Sequence, residues 1–209
     1  KSTLVKLMNR FYDVSRGSIE INGTDIRKYD LESLRAQVGY VAQKAHMFKG
    51  SIRSNICFGK PEASDEEMHH AARVAQASDF ISKRENGYLD EIAEDGTNIS
   101  GGQKQRLSIA RVILKKPSLY IYDDSFSALD FKTDATLRKA LKPEVEDAIF
   151  FVVAQRISTI MDSDMIIVLD EGQIIGLGTH LELLKNCSVY QEIAHSQLTQ
   201  KELDDYERN

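Results

Sequence analysis

The 209-residue chain is short of cysteine, of positive charge and of long apolar runs, and each shortage removes a class of protein. Its two cysteines, Cys57 and Cys187, lie far apart and form no C-x-x-C pair, which points to free thiols in a reducing setting rather than a disulfide scaffold. Lys plus Arg number 27 against 32 Asp plus Glu, a net charge of -5, so the basic footprint of a nucleic-acid binder is missing. The longest apolar run, residues 148–154, has the length of a buried strand and falls far short of the ~20 residues that span a bilayer. No linker rich in Pro, Gly or Ser and no internal repeat divides the chain. Lys1-Ser2-Thr3 leads straight into Leu4 and Val5 with neither an initiator Met nor a signal-type apolar stretch, and we expect a chain cut upstream.

What is there is an alternation of helical and strand-like segments, the pattern of an α/β layer fold with a largely parallel sheet. Residues 1–11 place Leu4, Leu7, Met8 and Phe11 on one helical face. Residues 17–22 alternate as a strand and turn at Asn22-Gly23, a strong hairpin signal. A short capped helix is expected from Asp30 and a strand at 38–41. Between 51 and 100 the sequence becomes helix-prone and charged and reads as a lobe inserted between halves of the sheet domain. Strand-like runs follow at 119–122, 149–153 and 165–169, then a β turn punctuated by Gly172 and Gly176–Gly178. The charged tail starts at 181–184, and from Tyr190 to Asn209 it is expected to be an exposed, fraying helix, the alternative being contact with a partner.

Three constellations carry chemistry. In Ser100-Gly101-Gly102-Gln103 a capping box opens a helix whose buried face, Leu107, Ala110, Ile113 and Leu114, runs until Pro117. The Ser and Gln alone would mark only a helix start. Two adjacent glycines bare the backbone N–H groups at the positive end of that helix, where a phosphate can approach. The run 119–122 ends in Asp123 and Asp124, at the carboxyl end of a strand where open α/β sheets bind ligands. A carboxylate there is placed to hold Mg²⁺, the alternative being two solvated acids in a turn. Lys1-Ser2-Thr3 opens a helix and matches the end of G-x-x-x-x-G-K-[ST], without the glycines of the cradle.

Other polar and aromatic residues receive a plainer reading. His69 and His70 are taken as surface residues, His180 as packing near a turn, and Tyr120 and Tyr122 as strand packing.

Taken in order and spacing, these segments resemble the nucleotide-binding domain of an ABC transporter over nearly the whole chain. Ile99-Ser100-Gly101-Gly102-Gln103 resembles the LSGGQ signature, Val41-Ala42-Gln43 the Q-loop, 119–123 the Walker B strand and Ser127-Ala128-Leu129-Asp130 the D-loop. Ala154-Gln155-Arg156 falls where that family has its switch histidine. Residues 47–56, Glu94-Asp95-Gly96 and 178–184 are similar to the exporter branch.

The resemblance implies a P-loop NTPase core with a mainly parallel sheet (residues 1–47 and 104–185, without its N-terminal part). It also implies an α-helical subdomain carrying the signature loop (48–103) and a helical tail (186–209). It implies ATP and Mg²⁺ as ligands. Lys1, Ser2, Thr3, Ser100, Gly101, Gly102, Gln103 and Asp130 would contact nucleotide, Ser2, Gln43 and Asp123 would hold the metal, and Asp124, Gln155 and Gln43 occupy catalytic positions. An adenine-stacking aromatic would lie upstream of Lys1. A second nucleotide-binding domain, paired head to tail as a heterodimer, and transmembrane domains are the implied partners, at the cytoplasmic face of a membrane and without nucleic acid.

Two positions depart from the family pattern. Asp124 stands where a Glu polarises the attacking water, and Gln155 stands where the switch histidine belongs. Asp is one methylene shorter, and a displacement of about 1 Å in a catalytic group can lower a rate by roughly 100-fold. An amide can donate to a phosphate but cannot titrate. The expectation is an exporter ATPase whose own site is slow and whose intact signature completes a partner's site, the alternative being a regulatory nucleotide-binding module. A soluble ABC protein of DNA repair or translation fits less well with the exporter-like segments and the acidic charge.

Overall fold

A computed structural model describes residues 1–199 of the chain. Its elements, in order, are α1 (Ser2–Met8), β1 (Glu20–Ile21), β2 (Thr24–Asp25), α2 (Leu31–Gln37), β3 (Val38–Val41), β4 (Gly50–Ser51), α3 (Ile52–Ile56), α4 (Asp65–Val74) and α5 (Ser78–Ile81). There follow β5 (Glu91–Ile92), α6 (Gly101–Lys115), β6 (Leu119–Asp123), α7 (Phe131–Leu141), β7 (Ile149–Val153), α8 (Ile157–Ile160), β8 (Ile166–Asp170), β9 (Gln173–Gly178), α9 (His180–Asn186) and α10 (Ser188–Gln197). Two compact units divide them, one covering residues 2–153 and the other chiefly residues from 154 onward. Among the described residues no helix is long and apolar enough to cross a membrane.

In the first unit, β3, β6 and β7 form a parallel sheet in the order β3-β6-β7, as the strand-like runs imply. Side chains alternate across a strand, and here both faces are apolar, as expected of a parallel sheet covered on each side. Val38 and Ile121 pack with Val5 on the α1 side. Val41, Tyr120 and Tyr122 pack with Leu107, Ile109 and Ile113 of α6 on the other. Tyr120 and Tyr122 are buried against Phe150 and act as packing, as read from the alternation. Gly39 permits this close packing: a Cβ there would lie 2.5 Å from Val112 and 2.7 Å from Pro117.

α1 differs from the expected helix over 1–11. It ends at Met8, and its fully buried residue is Val5, while Leu4 and Phe11 are exposed. Arg10 takes a left-handed conformation, its N–H bonding to Leu7 and that of Phe11 to Lys6, a double bond pattern that closes a helix. Asn9 adds a side-chain bond to the Val5 carbonyl. The hairpin at Asn22-Gly23 forms with positive φ at both residues, and Asp30 caps α2 through Ser33 N–H.

The helical lobe holds α3, α4 and α5, with a two-residue ladder joining β4 and β5. Ser64 caps α4 with a complete capping box. Arg111 of α6 ties α3 down by bonding the Asn55 backbone and side-chain oxygens while lying over the stacked rings of Phe48 and Phe58. His69 and His70 are half-buried rather than surface residues: His69 packs on Tyr88, and His70 Nε2 lies 2.8 Å from Glu144.

In the second unit, β8 pairs antiparallel with β9. The expected terminal turn is therefore a strand over most of its length. The reversal itself falls at Glu171-Gly172, both with positive φ. Gly176 lies inside β9, where a Cβ would meet Cys187 and Leu183 of the helical tail at 2.9 and 3.0 Å. The tail is not an exposed helix through its described length. Tyr190 and Ala194 of α10 are buried with Ile157, Ile166 and Leu183. His180 is buried as well, its Nδ1 2.7 Å from the Tyr190 hydroxyl. Residues 200–209 of the expected tail lie outside the described residues.

Candidate functional site

The carboxyl end of β6 gathers a pair of acids with residues distant in sequence. Asp123 follows Ile121 on the α1 face of the sheet, and Tyr40 on β3 stands in register with Ile121 on that same face. Ser2, the first residue of α1, donates its hydroxyl to Asp123 Oδ1 at 3.0 Å. The Tyr40 hydroxyl donates to Asp123 Oδ2 at 3.1 Å. Both oxygens of this buried carboxylate are thereby bonded, which a buried charge requires. Burial, reinforced by the neighbouring charge of Asp123, pushes the Tyr40 phenol up to about 12, so it remains a donor at neutral pH.

Asp124 leaves the strand with φ of +49°, its N–H bonded to the Val153 carbonyl of β7 at 2.8 Å. Gln43, two residues beyond β3, donates Nε2 to Asp124 Oδ2 at 2.8 Å and keeps its own carbonyl oxygen as an acceptor. Ser127 closes the turn by donating its hydroxyl to the Asp124 carbonyl at 2.7 Å. The Q-loop is anchored from behind, because buried Gln105 of α6 donates to the Ala42 carbonyl at 3.1 Å.

The N-terminus of α6 forms a second group. Ser100 and Gln103 make the full capping box: the Ser100 hydroxyl accepts from Gln103 N–H, and the Gln103 side chain accepts from Ser100 N–H. Nothing lies within 4 Å of a Cβ built on Gly101, and one built on Gly102 would stand 3.4 Å from the Ala128 carbonyl. The two glycines thus leave their own N–H groups at the start of α6 uncovered by side chains, while that of Gln103 is bonded to the Ser100 hydroxyl. Asp130 caps α7 through Thr133 N–H at 2.9 Å and the Thr133 hydroxyl at 2.7 Å, which together hold its carboxyl below the usual range.

Of the residues singled out in the sequence, the structure brings Ser2 to Asp123 and Gln43 to Asp124, and it adds Tyr40 and Gln105. Lys1 and Thr3 are exposed. Gln155 belongs to the second unit, where it is exposed and its carbonyl accepts from Gln197 Nε2 at 2.9 Å. Tyr40 had a legible signal: a phenol at an alternating position of a buried strand needs a polar partner. Gln105 had none, since an amide in a helix reads first as a solvent-facing residue.

The oxygens of Ser2 and Asp123, with the Gln43 carbonyl, are hard donors suited to Mg²⁺ and unsuited to softer metals. A buried carboxylate already turned toward a hydroxyl fits that ion.

Comparison with known proteins agrees with this geometry. The profile of the family described as "ABC transporter" matches residues 1–127. A putative multidrug export ATP-binding/permease protein of Bacillus subtilis, YgaD, is 48% identical over 193 residues, which cover 92% of this chain and 33% of that protein. A protein of the same description from Staphylococcus aureus is 43% identical over 193 residues, again 92% of this chain and 33% of its own length. A solved bacterial Atm1-family ABC exporter with ATP bound superposes with a TM-score of 0.92 at 39% identity, covering 96% of this chain and 35% of that one. The chain spans about a third of the length of the curated relatives it matches.

Proposed function

The chain belongs to the ABC transporter family, and from that premise we propose that it is the ATP-hydrolysing domain of an exporter, coupling ATP binding and hydrolysis to transport across a membrane. The observation that carries the reading is the bond from Ser2 to Asp123, residues 121 positions apart, which brings the Lys-Ser-Thr segment onto the acids at the end of β6. The core is residues 1–47 and 104–185, and the signature lobe is 48–103.

Bound Mg²⁺ neutralises charge on the nucleotide phosphates. Ser2 and Asp123 would hold it, with Gln43 offering its side-chain carbonyl oxygen. Asp124, kept in place by the Gln43 amide and the Ser127 hydroxyl, orients water. The glycines of the α6 N-terminus serve a phosphate through backbone N–H groups. Asp124 reaches one methylene less far than Glu, and Gln155 offers an amide in place of an imidazole. The chain's own site is therefore slow, and its signature completes the site of a second, different nucleotide-binding domain beneath transmembrane domains.

A regulatory module that hydrolyses almost nothing is the second reading, favoured by the engagement of Asp124 Oδ2 with Gln43 in place of an open carboxylate. Single-turnover hydrolysis by the protein alone and after mixing with its partner domain separates the two. Fast turnover only in the mixture supports the first, and fast turnover by the protein alone refutes the slow site.

A further inference from the structure

The bond between Tyr40 and Asp123 extends the site by one residue. A carboxylate as buried as that of Asp123 has two oxygens to satisfy, and the structure gives each a different donor: Ser2 to Oδ1, Tyr40 to Oδ2. The register explains why a phenol is needed. Tyr40 stands opposite Ile121, so Asp123 lies two residues further along the neighbouring strand on the same face, about 6.6 Å along it and about 4.8 Å across, hence about 8 Å from Tyr40 between Cα atoms. A phenol reaches that far with a donor at its tip; an aliphatic side chain carries none. The edge of the Phe11 ring packs against it, with centroids 5.7 Å apart and planes at 77°.

The consequence is directional. With Oδ2 occupied from the β3 side, the plane of the carboxyl is fixed and Oδ1 is the oxygen turned to Ser2. Of the two residues that β3 and its extension send to the acids, Gln43 holds Asp124 and Tyr40 holds Asp123.

We propose that Tyr40 is a positioning residue for the metal-holding carboxylate, donating its hydroxyl to Asp123 Oδ2 so that Oδ1 and the Ser2 hydroxyl are presented together to the divalent cation. This rests on the reading that Asp123 and Ser2 hold the metal of a nucleotide site. Groups that orient metal ligands through such bonds typically change metal affinity by about 10- to 100-fold when removed.

The test is a Mn²⁺ titration of the intact protein in the presence of ATP, followed by electron paramagnetic resonance, beside ATP binding in excess EDTA. Tyr40→Phe should weaken Mn²⁺ binding about 10-fold while leaving metal-free ATP affinity and the melting temperature near wild type. Phe11→Leu, which removes the ring contact and keeps the hydroxyl, should bind Mn²⁺ as wild type does. Unchanged Mn²⁺ affinity in Tyr40→Phe overturns the role of Tyr40, as does a joint fall in Mn²⁺ binding, metal-free ATP binding and melting temperature. Wild-type protein whose ATP binding ignores the metal would instead overturn the underlying reading of the site. Should Tyr40→Phe fail to fold, the ¹³Cζ resonance of Tyr40 in wild type decides. It shifts on adding Mg²⁺ to the ATP complex if the phenol is bonded to the metal-holding carboxylate, and a resonance that stays in place refutes it.

Discussion

Replacing Gly102 by Asp separates folding from function with opposite signs. Gly102 is the second residue of α6, and the Cβ of any replacement stands 3.4 Å from the Ala128 carbonyl and 3.9 Å from Leu129. The added carbon is accommodated by a shift of a few tenths of an ångström, a minor steric cost. A carboxylate in the first turn is favourable to a helix by about 0.3–1 kcal/mol, so the folded domain should keep its stability to within about 1 kcal/mol. A phosphate approaching the same N–H groups meets the opposite effect. One added negative charge at about 4 Å, at an effective dielectric constant of 20, repels it by about 4 kcal/mol. At 1.4 kcal/mol per decade that is on the order of 1000-fold. Phosphate release by the assembled transporter should therefore fall by about three decades with the melting temperature of the domain nearly unchanged. Asp124→Asn, measured beside it, should cost much less if, as proposed, the signature serves the partner's site and Asp124 a slow one. Turnover within tenfold of wild type for Gly102→Asp, a loss matched by a large fall in melting temperature, or an equal collapse in Asp124→Asn would refute the reasoning.

Three further outcomes are open to measurement. On the proposed reading, Asp124→Glu adds one methylene and should raise single-turnover hydrolysis at this chain's own site by roughly 10- to 100-fold; no increase would refute side-chain length as the cause of a slow site. Gly39→Ala drives a methyl into Val112 and Pro117 and should destabilise the first unit by about 1–3 kcal/mol, seen as a lower denaturation midpoint, whereas an unchanged midpoint would show that α6 is not held that close. Burial holds His180 below its ordinary value, so the unfolded chain takes up a proton near pH 6.5 that the folded one resists. Stability of the second unit should therefore fall as pH drops through that range, and His180→Gln should flatten the dependence; an equally steep fall in the variant would assign the titration elsewhere.

Local order was legible wherever one segment supplied its own partners. Ser100 and Gln103 satisfy each other's backbone N–H groups three residues apart, Asn22-Gly23 supplies the positive φ values its turn requires, and β3, β6 and β7 announce themselves by apolar runs. The family, the acids at the end of β6 and the glycines of the signature follow from such short-range patterns. The end of α1 was less legible, because its stripe of apolar residues continues to Phe11 while Arg10 and Asn9 stop the helix through backbone bonds. The described part of the tail differs from the exposed helix that its composition implies for a related reason. Tyr190 and Ala194 are buried by β8 and α9 of the same unit, a cover that composition does not reveal.

The sequence by itself thus determined the order of the motifs, the capped helix starts and the identities of Asp124 and Gln155, because each is a matter of residue identity at a fixed spacing. Only the tertiary structure decided which donor serves which oxygen. That Ser2 and Tyr40 divide Asp123 between them, while Gln43 takes Asp124, depends on the register of β3 against β6 and on where α1 sets its first residue. A parallel register joins strands through long crossovers, so the partner of a side chain lies some 80 residues away, outside the reach of any local pattern.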